Sequence, residues 1–174
     1  SNMEAVFNVA QKYHIPVHLD GARLFNAAAY LKVDAKEITA FCDSVMFCLS
    51  KGLCAPVGSM LAASREFIHK ARKKRKLMGG GLRQAGFLAA AGLVALQKMR
   101  ARLHEDHENA LLLGQELAKI PGIKVALEDI HINMVWFSVE RYPESEEALV
   151  SGLWEKGIKT NPPENGLMRF VTNH

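Results

Sequence analysis

The sequence predicts an α/β domain followed by a smaller α+β unit, and three observations carry that prediction. Short apolar strands alternate with helix-periodic segments up to about residue 120. Ser44-Val45-Met46-Phe47-Cys48-Leu49 is a continuous apolar run, the pattern of a parallel strand covered on both faces. After a turn at Pro121-Gly122 the segments shorten into strand–helix–strand units.

Taken in order, residues 3–13 place Val6, Val9 and Ala10 on one face and read as a helix without a cap. His14-Ile15-Pro16 breaks it, and Val17-His18-Leu19 is a short strand ended by Asp20-Gly21. Ala22 to Tyr30 is strongly helical. Asp34 and Glu37 have the spacing of a capping box and open a second short helix. Beyond Pro56, Val57 to Ala63 reads as a strand. Ser64 starts a basic helix that stops at Gly79-Gly80-Gly81, and Gln84 to Leu113 reads as long helix with an Ala-rich packing face. The second unit should hold strands at Lys124–Ala126 and Asn133–Val139, a helix at Glu144–Glu155, and strands near Ile158–Thr160 and Met168–Thr172. Ser1-Asn2 reads as a tag scar, residues 3–120 as the first domain and residues 121–174 as the second. A helix that begins at the scar and a last strand with no closing helix both look like truncation. A parallel sheet of two or three strands cannot hide its faces and edges, so the chain is expected to be a piece of a larger enzyme.

Composition narrows the function classes. With 49% apolar and 23% charged residues in a 174-residue chain, wholesale disorder is excluded. No apolar run reaches the ~18 residues of a membrane span, and nothing reads as a signal peptide, so a cytoplasmic location with no membrane partner is expected. Three cysteines (Cys42, Cys48, Cys54) form no CxxC pair, and an odd number argues against a secreted disulfide scaffold. A net charge of +4 and a pI near 9.0 permit an anionic partner without requiring one. The basic run Lys70 to Lys76 could mark a nucleic-acid-binding module, but no aromatic residue interleaves to stack on bases. It reads instead as a solvated helix face, with no nucleic-acid partner expected. His104-Glu105-Asp106-His107-Glu108 falls short of HExxH because glutamate stands at 108, and no metal site is expected. The triple glycine does not follow a strand, so it is not a dinucleotide fingerprint.

The chemistry concentrates at two strand ends. Asp20 and Lys51 both fall just beyond apolar strands, where open α/β sheets bind ligands. Such a pair could be an ion pair, half a metal site, or an aldehyde-binding lysine with an acidic partner. Pyridoxal phosphate (PLP) wants the last arrangement: an amine for its aldehyde, and a carboxylate that keeps the pyridine nitrogen protonated. His18 is more often an orienting residue than a catalytic one.

HLDGARLFNAA, DSVMFCLSKGLCAPVGSMLAAS and KARKKRKLMGGGLRQAGFLAAAG, in that order, resemble the L-threonine aldolases of low-specificity type. These are PLP-dependent enzymes of the β-eliminating lyase/threonine aldolase group. The likeness runs nearly continuously from Ile15 to Asn109 and continues through Asn133-Met134-Val135 and Met168-Arg169-Phe170-Val171-Thr172. It implies the aspartate-aminotransferase-like fold (fold type I), with the last part of the large PLP-binding domain followed by a small α+β domain. It also implies pyridoxal 5′-phosphate as cofactor and cleavage of L-threonine or L-allo-threonine to glycine and acetaldehyde. By the same resemblance Lys51 binds the cofactor aldehyde and Asp20 the pyridine nitrogen. Arg23 lies near the phenolic oxygen and the substrate carboxylate, and Arg169 is a second carboxylate-binding arginine. Lys76 and Arg83 approach the phosphate, partly across a subunit interface, so a homo-oligomer (dimer or tetramer) is expected. The alternative within the enzymes is a related β-eliminating lyase. In the family, a histidine or water associated with the β-hydroxyl proton lies upstream of Met3. By the same resemblance the segment before Met3 would carry the phosphate-binding turn and the group that stacks on the ring, so the isolated chain is expected to be inactive.

Overall fold

The computed structural model describes residues 2–140 and 145–174. They form two compact units, one ending at Leu103 and the other running from His104 to His174. This division falls earlier than the turn at Pro121-Gly122. The reason is the helix Leu103–Leu117, whose Ala110, Leu113 and Leu117 pack into the core of the second sheet. Ser1 of the expected scar and Glu144 of the expected helix lie outside the described residues.

The first unit opens with α1 (Asn2–Lys12), β1 (His18–Asp20), α2 (Leu24–Leu31) and α3 (Ala35–Thr39). It continues with β2 (Ser44–Cys48), β3 (Ser59–Ala63), α4 (Arg65–Leu77) and α5 (Gly86–Gln97). β1 pairs with β2 in parallel, Leu19 opposite Val45 and Asp20 opposite Met46. β2 pairs with β3 antiparallel, from Ser44 opposite Ala63 to Cys48 opposite Ser59. The Ser44–Cys48 strand is thus parallel to a neighbour on one side only. The connection from Cys48 to Ser59 is too short for a crossover helix, so the chain must turn back; the β1–β2 connection carries α2 and α3 and can cross over.

Local chemistry explains the helix ends. Asp34 Oδ1 accepts from the Lys36 amide at 2.8 Å and Glu37 Oε1 accepts from the Asp34 amide at 3.0 Å, which completes the capping box. Ser64 Oγ accepts from the Phe67 amide and starts α4. Gly79, at φ +80°, ends it: the Gly79 amide donates to Lys76 O at 3.3 Å and the Gly80 amide to Arg75 O at 2.9 Å. The long helix expected from Gln84 is interrupted: after α5 come a 3-10 stretch, Met99–Arg102, and then α6 (Leu103–Leu117). This stretch brings Leu103 into the same core as Ala95. That core holds Leu49, Leu53, Ala55, Ala95 and Leu103, with Phe25 packed edge-on to Phe47 at 5.3 Å beside it.

The second unit sets α6 and α7 (Glu146–Glu155) against an antiparallel sheet of β4 (Ile123–Val125), β5 (Met134–Val139) and β6 (Met168–Val171), in that order. Ala110, Val135, Phe137 and Met168 are its buried centre. Ser145 caps α7 by accepting from the Ala148 amide. The strand expected near Ile158–Thr160 does not form. The Ile158 amide donates to Leu153 O and the Thr160 carbonyl accepts from Trp154 Nε1, so both are committed to the end of α7. Asn133, fully buried, donates from Nδ2 to Thr172 O at 2.8 Å and ties down the end of β6.

α6 carries a pH-dependent term. Burial, with help from the nearby His104, lowers the pKa of His107 below its ordinary 6.5. The folded state then binds fewer protons than the unfolded chain, so stability rises with pH up to about 6.5 and is lost as pH falls below it. His107→Gln should flatten the fall of the urea midpoint as pH drops below 6.5. An equally steep dependence in that variant would place the effect elsewhere.

Candidate active site

Because β1 and β2 are parallel, their carboxyl ends open on one edge of the sheet. Asp20 is the last residue of β1, and Lys51 follows the last residue of β2 by one short turn. Asp20 is exposed, and its Oδ1 accepts from the Ala22 amide at 3.2 Å, an Asx turn that fixes the carboxylate just beyond the strand. The next residue continues the parallel ladder, Gly21 N donating to Met46 O at 2.8 Å. A Cβ on Gly21 would stand 2.8 Å from that same carbonyl oxygen and 3.1 Å from Val45 Cγ2. Gly21→Ala should therefore push β1 off β2 at its carboxyl end. A loss of about 1–3 kcal/mol in urea unfolding is expected, and unchanged stability would show that the strand end yields freely.

Lys51 is half-buried in a loop that is rigid for a visible reason. Leu49, Gly52, Leu53 and Ala55 are buried around it, while Ser50, Cys54 and Pro56 face out. The loop is closed at its base by Leu49, whose amide donates to Gly58 O and whose carbonyl accepts from Ala55 N, both at 2.9 Å. Inside it, Cys54 N donates to Lys51 O at 2.8 Å with Cys54 at φ +59°. Burying Leu53 alone contributes about 2 kcal/mol toward holding this turn.

Arg23, half-buried, is the residue before α2 and turns its backbone from strand to helix (φ −122°, ψ 36°). One residue that sequence reasoning passed over is Asn26, 3% exposed on the same helix. A Cβ on Gly52 would meet Asn26 Oδ1 at 2.9 Å and Nδ2 at 3.2 Å, so the Asn26 amide packs closely on Gly52, the residue after Lys51. A lone Asn in an Ala-rich helix gives no sequence signal of burial. His18 Nδ1 hydrogen-bonds Ser44 Oγ at 2.8 Å, across the strand pair that carries Asp20.

Lys76 and Arg83 are exposed on either side of the triple glycine, and the Lys76 side chain lies over Gly81, where a Cβ would be 2.5 Å from Cδ. Arg169 belongs to β6 of the second unit. Among the described residues no group of three or more His, Cys, Asp or Glu side chains could hold a metal ion, and no helix is long and apolar enough to cross a membrane.

The family described as beta-eliminating lyase matches residues 1–140. The chain belongs to that family. A low-specificity L-threonine aldolase 1 of Arabidopsis thaliana is 41% identical over 172 residues, covering 98% of this chain and 48% of that protein. A low specificity L-threonine aldolase of Escherichia coli (strain K12) is 39% identical over 171 residues, 98% of this chain and 49% of the other. The chain thus spans about half the length of the curated relatives it matches. Among solved structures, a putative L-allo-threonine aldolase from Listeria monocytogenes EGD-E superposes with a TM-score of 0.82 at 22% identity, over 98% of this chain and 50% of that one. A PLP-dependent aminotransferase from Streptococcus suis 89-1591 gives 0.74 at 17%, over 98% and 47%. The fold of this beta-eliminating lyase family member is therefore the one those enzymes share.

Proposed function

We propose that the enzyme carrying this chain cleaves the Cα–Cβ bond of L-threonine and L-allo-threonine, giving glycine and acetaldehyde with pyridoxal 5′-phosphate as cofactor. The observation that carries the reading is the placement of Asp20 and Lys51 on one edge of a parallel strand pair, the lysine in a loop pinned by core residues. The aldolases named above, alike over nearly the whole chain, support it. Residues 3–120 would be part of a cofactor-binding domain and residues 121–174 a small domain, with the helix Leu103–Leu117 the part of the first on which the sheet of the second packs.

The side chains suit the cofactor. A primary amine and a fixed carboxylate at one sheet edge are what an aldehyde on a pyridine ring requires. When bound, that cofactor acts as an electron sink for the charge released as the bond breaks. Lys51 Nζ would hold the aldehyde carbon, and its loop would keep the amine from swinging away. Asp20 would hold a proton on the ring nitrogen, its carboxylate steadied through Oδ1 by the Ala22 amide. Arg23 and Arg169 would clamp the substrate carboxylate and so set which bond of Cα stands perpendicular to the ring; a planar guanidinium suits that task. Lys76 and Arg83 would give charge to the phosphate, and the assembly would be a homo-oligomer.

The test is product analysis with the enzyme that carries this chain, loaded with cofactor and given L-threonine. Acetaldehyde and glycine in equal amounts are expected. Release of ammonia and a keto acid would assign the neighbouring β-elimination chemistry instead.

A further inference from the structure

We propose that Trp136 is a positioning residue for Arg169, holding its guanidinium flat so that the edge of the fork meets a ligand carboxylate. The inference rests on Arg169 being the carboxylate arginine of the reading above.

Trp136 and Arg169 are direct cross-strand partners on β5 and β6. Their neighbours Val135, Phe137 and Met168 turn the other way, into the buried centre of the second unit, which leaves this pair on the outer face. The guanidinium carbon of Arg169 lies 5.3 Å from the Trp136 ring centroid, within the range of a cation–π contact. Trp136 is 40% exposed, so its ring is not a core element that merely happens to touch an arginine. Among the described residues no carboxylate pairs with Arg169. A guanidinium held through its face keeps its five N–H donors in one plane with their outer edge open. An ion pair would occupy that edge. Arg169 also borders a cavity of about 450 Å³ with Lys159, Thr160 and Asn161, and Lys159 lies over Trp154 at 5.4 Å. Two cations on indoles beside one cavity favour an anionic group there, and only Arg169 can grip a carboxylate with two parallel bonds.

The contact should be worth about a two- to fivefold change in substrate affinity, falling in the order Trp, Phe, Leu with the strength of the ring's negative face. The experiment compares Trp136→Phe, Trp136→Leu, Arg169→Ala and the double variant Trp136→Leu/Arg169→Ala in the enzyme that carries this chain. The expected result is a graded rise in KM for L-threonine across the Trp136 variants with their kcat within about twofold, a larger loss of kcat/KM in Arg169→Ala, and no further rise in KM when Trp136→Leu is added to Arg169→Ala. In the enzyme that carries this chain, labelled with 15N-arginine, the Arg169 Nε–Hε resonance, assigned by its loss in Arg169→Ala, should lose its ring-current shift in Trp136→Leu. An unmoved resonance, an unchanged KM, or an additive double variant would overturn the inference. If Arg169→Ala itself leaves KM unchanged, the carboxylate role of Arg169 falls, and this inference with it. If Arg169→Ala raises KM while Trp136→Leu does not, only the positioning role falls.

Discussion

Lys51→Ala is expected to lower threonine cleavage by about four orders of magnitude or more, because the amine that would hold the cofactor is gone while its loop remains. The side chain is half-buried and the buried anchors of the loop lie on either side of it, so the substitution leaves Leu49, Leu53 and Ala55 in place. Circular dichroism and the urea midpoint should therefore stay close to wild type. Lys51→Arg sharpens the experiment. It keeps the charge and cannot bind an aldehyde, so it should be as inactive as alanine if the role is covalent. Were Lys51 only an ion-pair partner of Asp20, arginine would restore most of the function. A second readout is independent of turnover. Borohydride reduction of the loaded enzyme should fix the cofactor on the peptide containing Lys51, and a tag mapped to Lys76 instead would remove the assignment.

Asp20→Asn should cost about two to four orders of magnitude in cleavage with little loss of stability. The structure makes this variant unusually clean. Asn keeps an oxygen in the position that accepts from the Ala22 amide, so the turn after β1 survives and only the negative charge is removed. Asn at this position would no longer hold a proton on the ring nitrogen, which would weaken the electron sink the cofactor supplies. Near-normal turnover in Asp20→Asn would make Asp20 a turn residue and nothing more.

How much of this was legible in the sequence depends on how local the physics is. The capping box at Asp34 and Glu37 was readable because both of its hydrogen bonds close within four residues. The Ser44–Leu49 strand was readable from its apolar run, but its antiparallel partner was not signalled, since that follows from the length of the connection and not from composition. The missing strand near Ile158–Thr160 failed for a related reason: the indole of Trp154 took the carbonyl that a neighbouring strand would have used. At the site, Asp20 and Lys51 stood out by residue type at strand ends, and the parallel pairing then placed them on one edge. Asn26 did not stand out, because its burial against Gly52 depends on a residue 26 positions away. Trp136 was likewise silent until the register set it opposite Arg169.

The closure of the lysine loop on Leu49 bears on how such a sequence can drift. Residues 50–54 form a ring whose two ends are fastened to the same residue, so an insertion or deletion inside it cannot be absorbed by sliding. In a saturation library the outward positions Ser50 and Pro56 should accept many side chains, Cys54 chiefly those that endure its left-handed backbone, and Leu49, Leu53 and Ala55 few. Changes of length should be purged at every step. The amine can be refined by its surroundings, but it cannot migrate one residue along the chain.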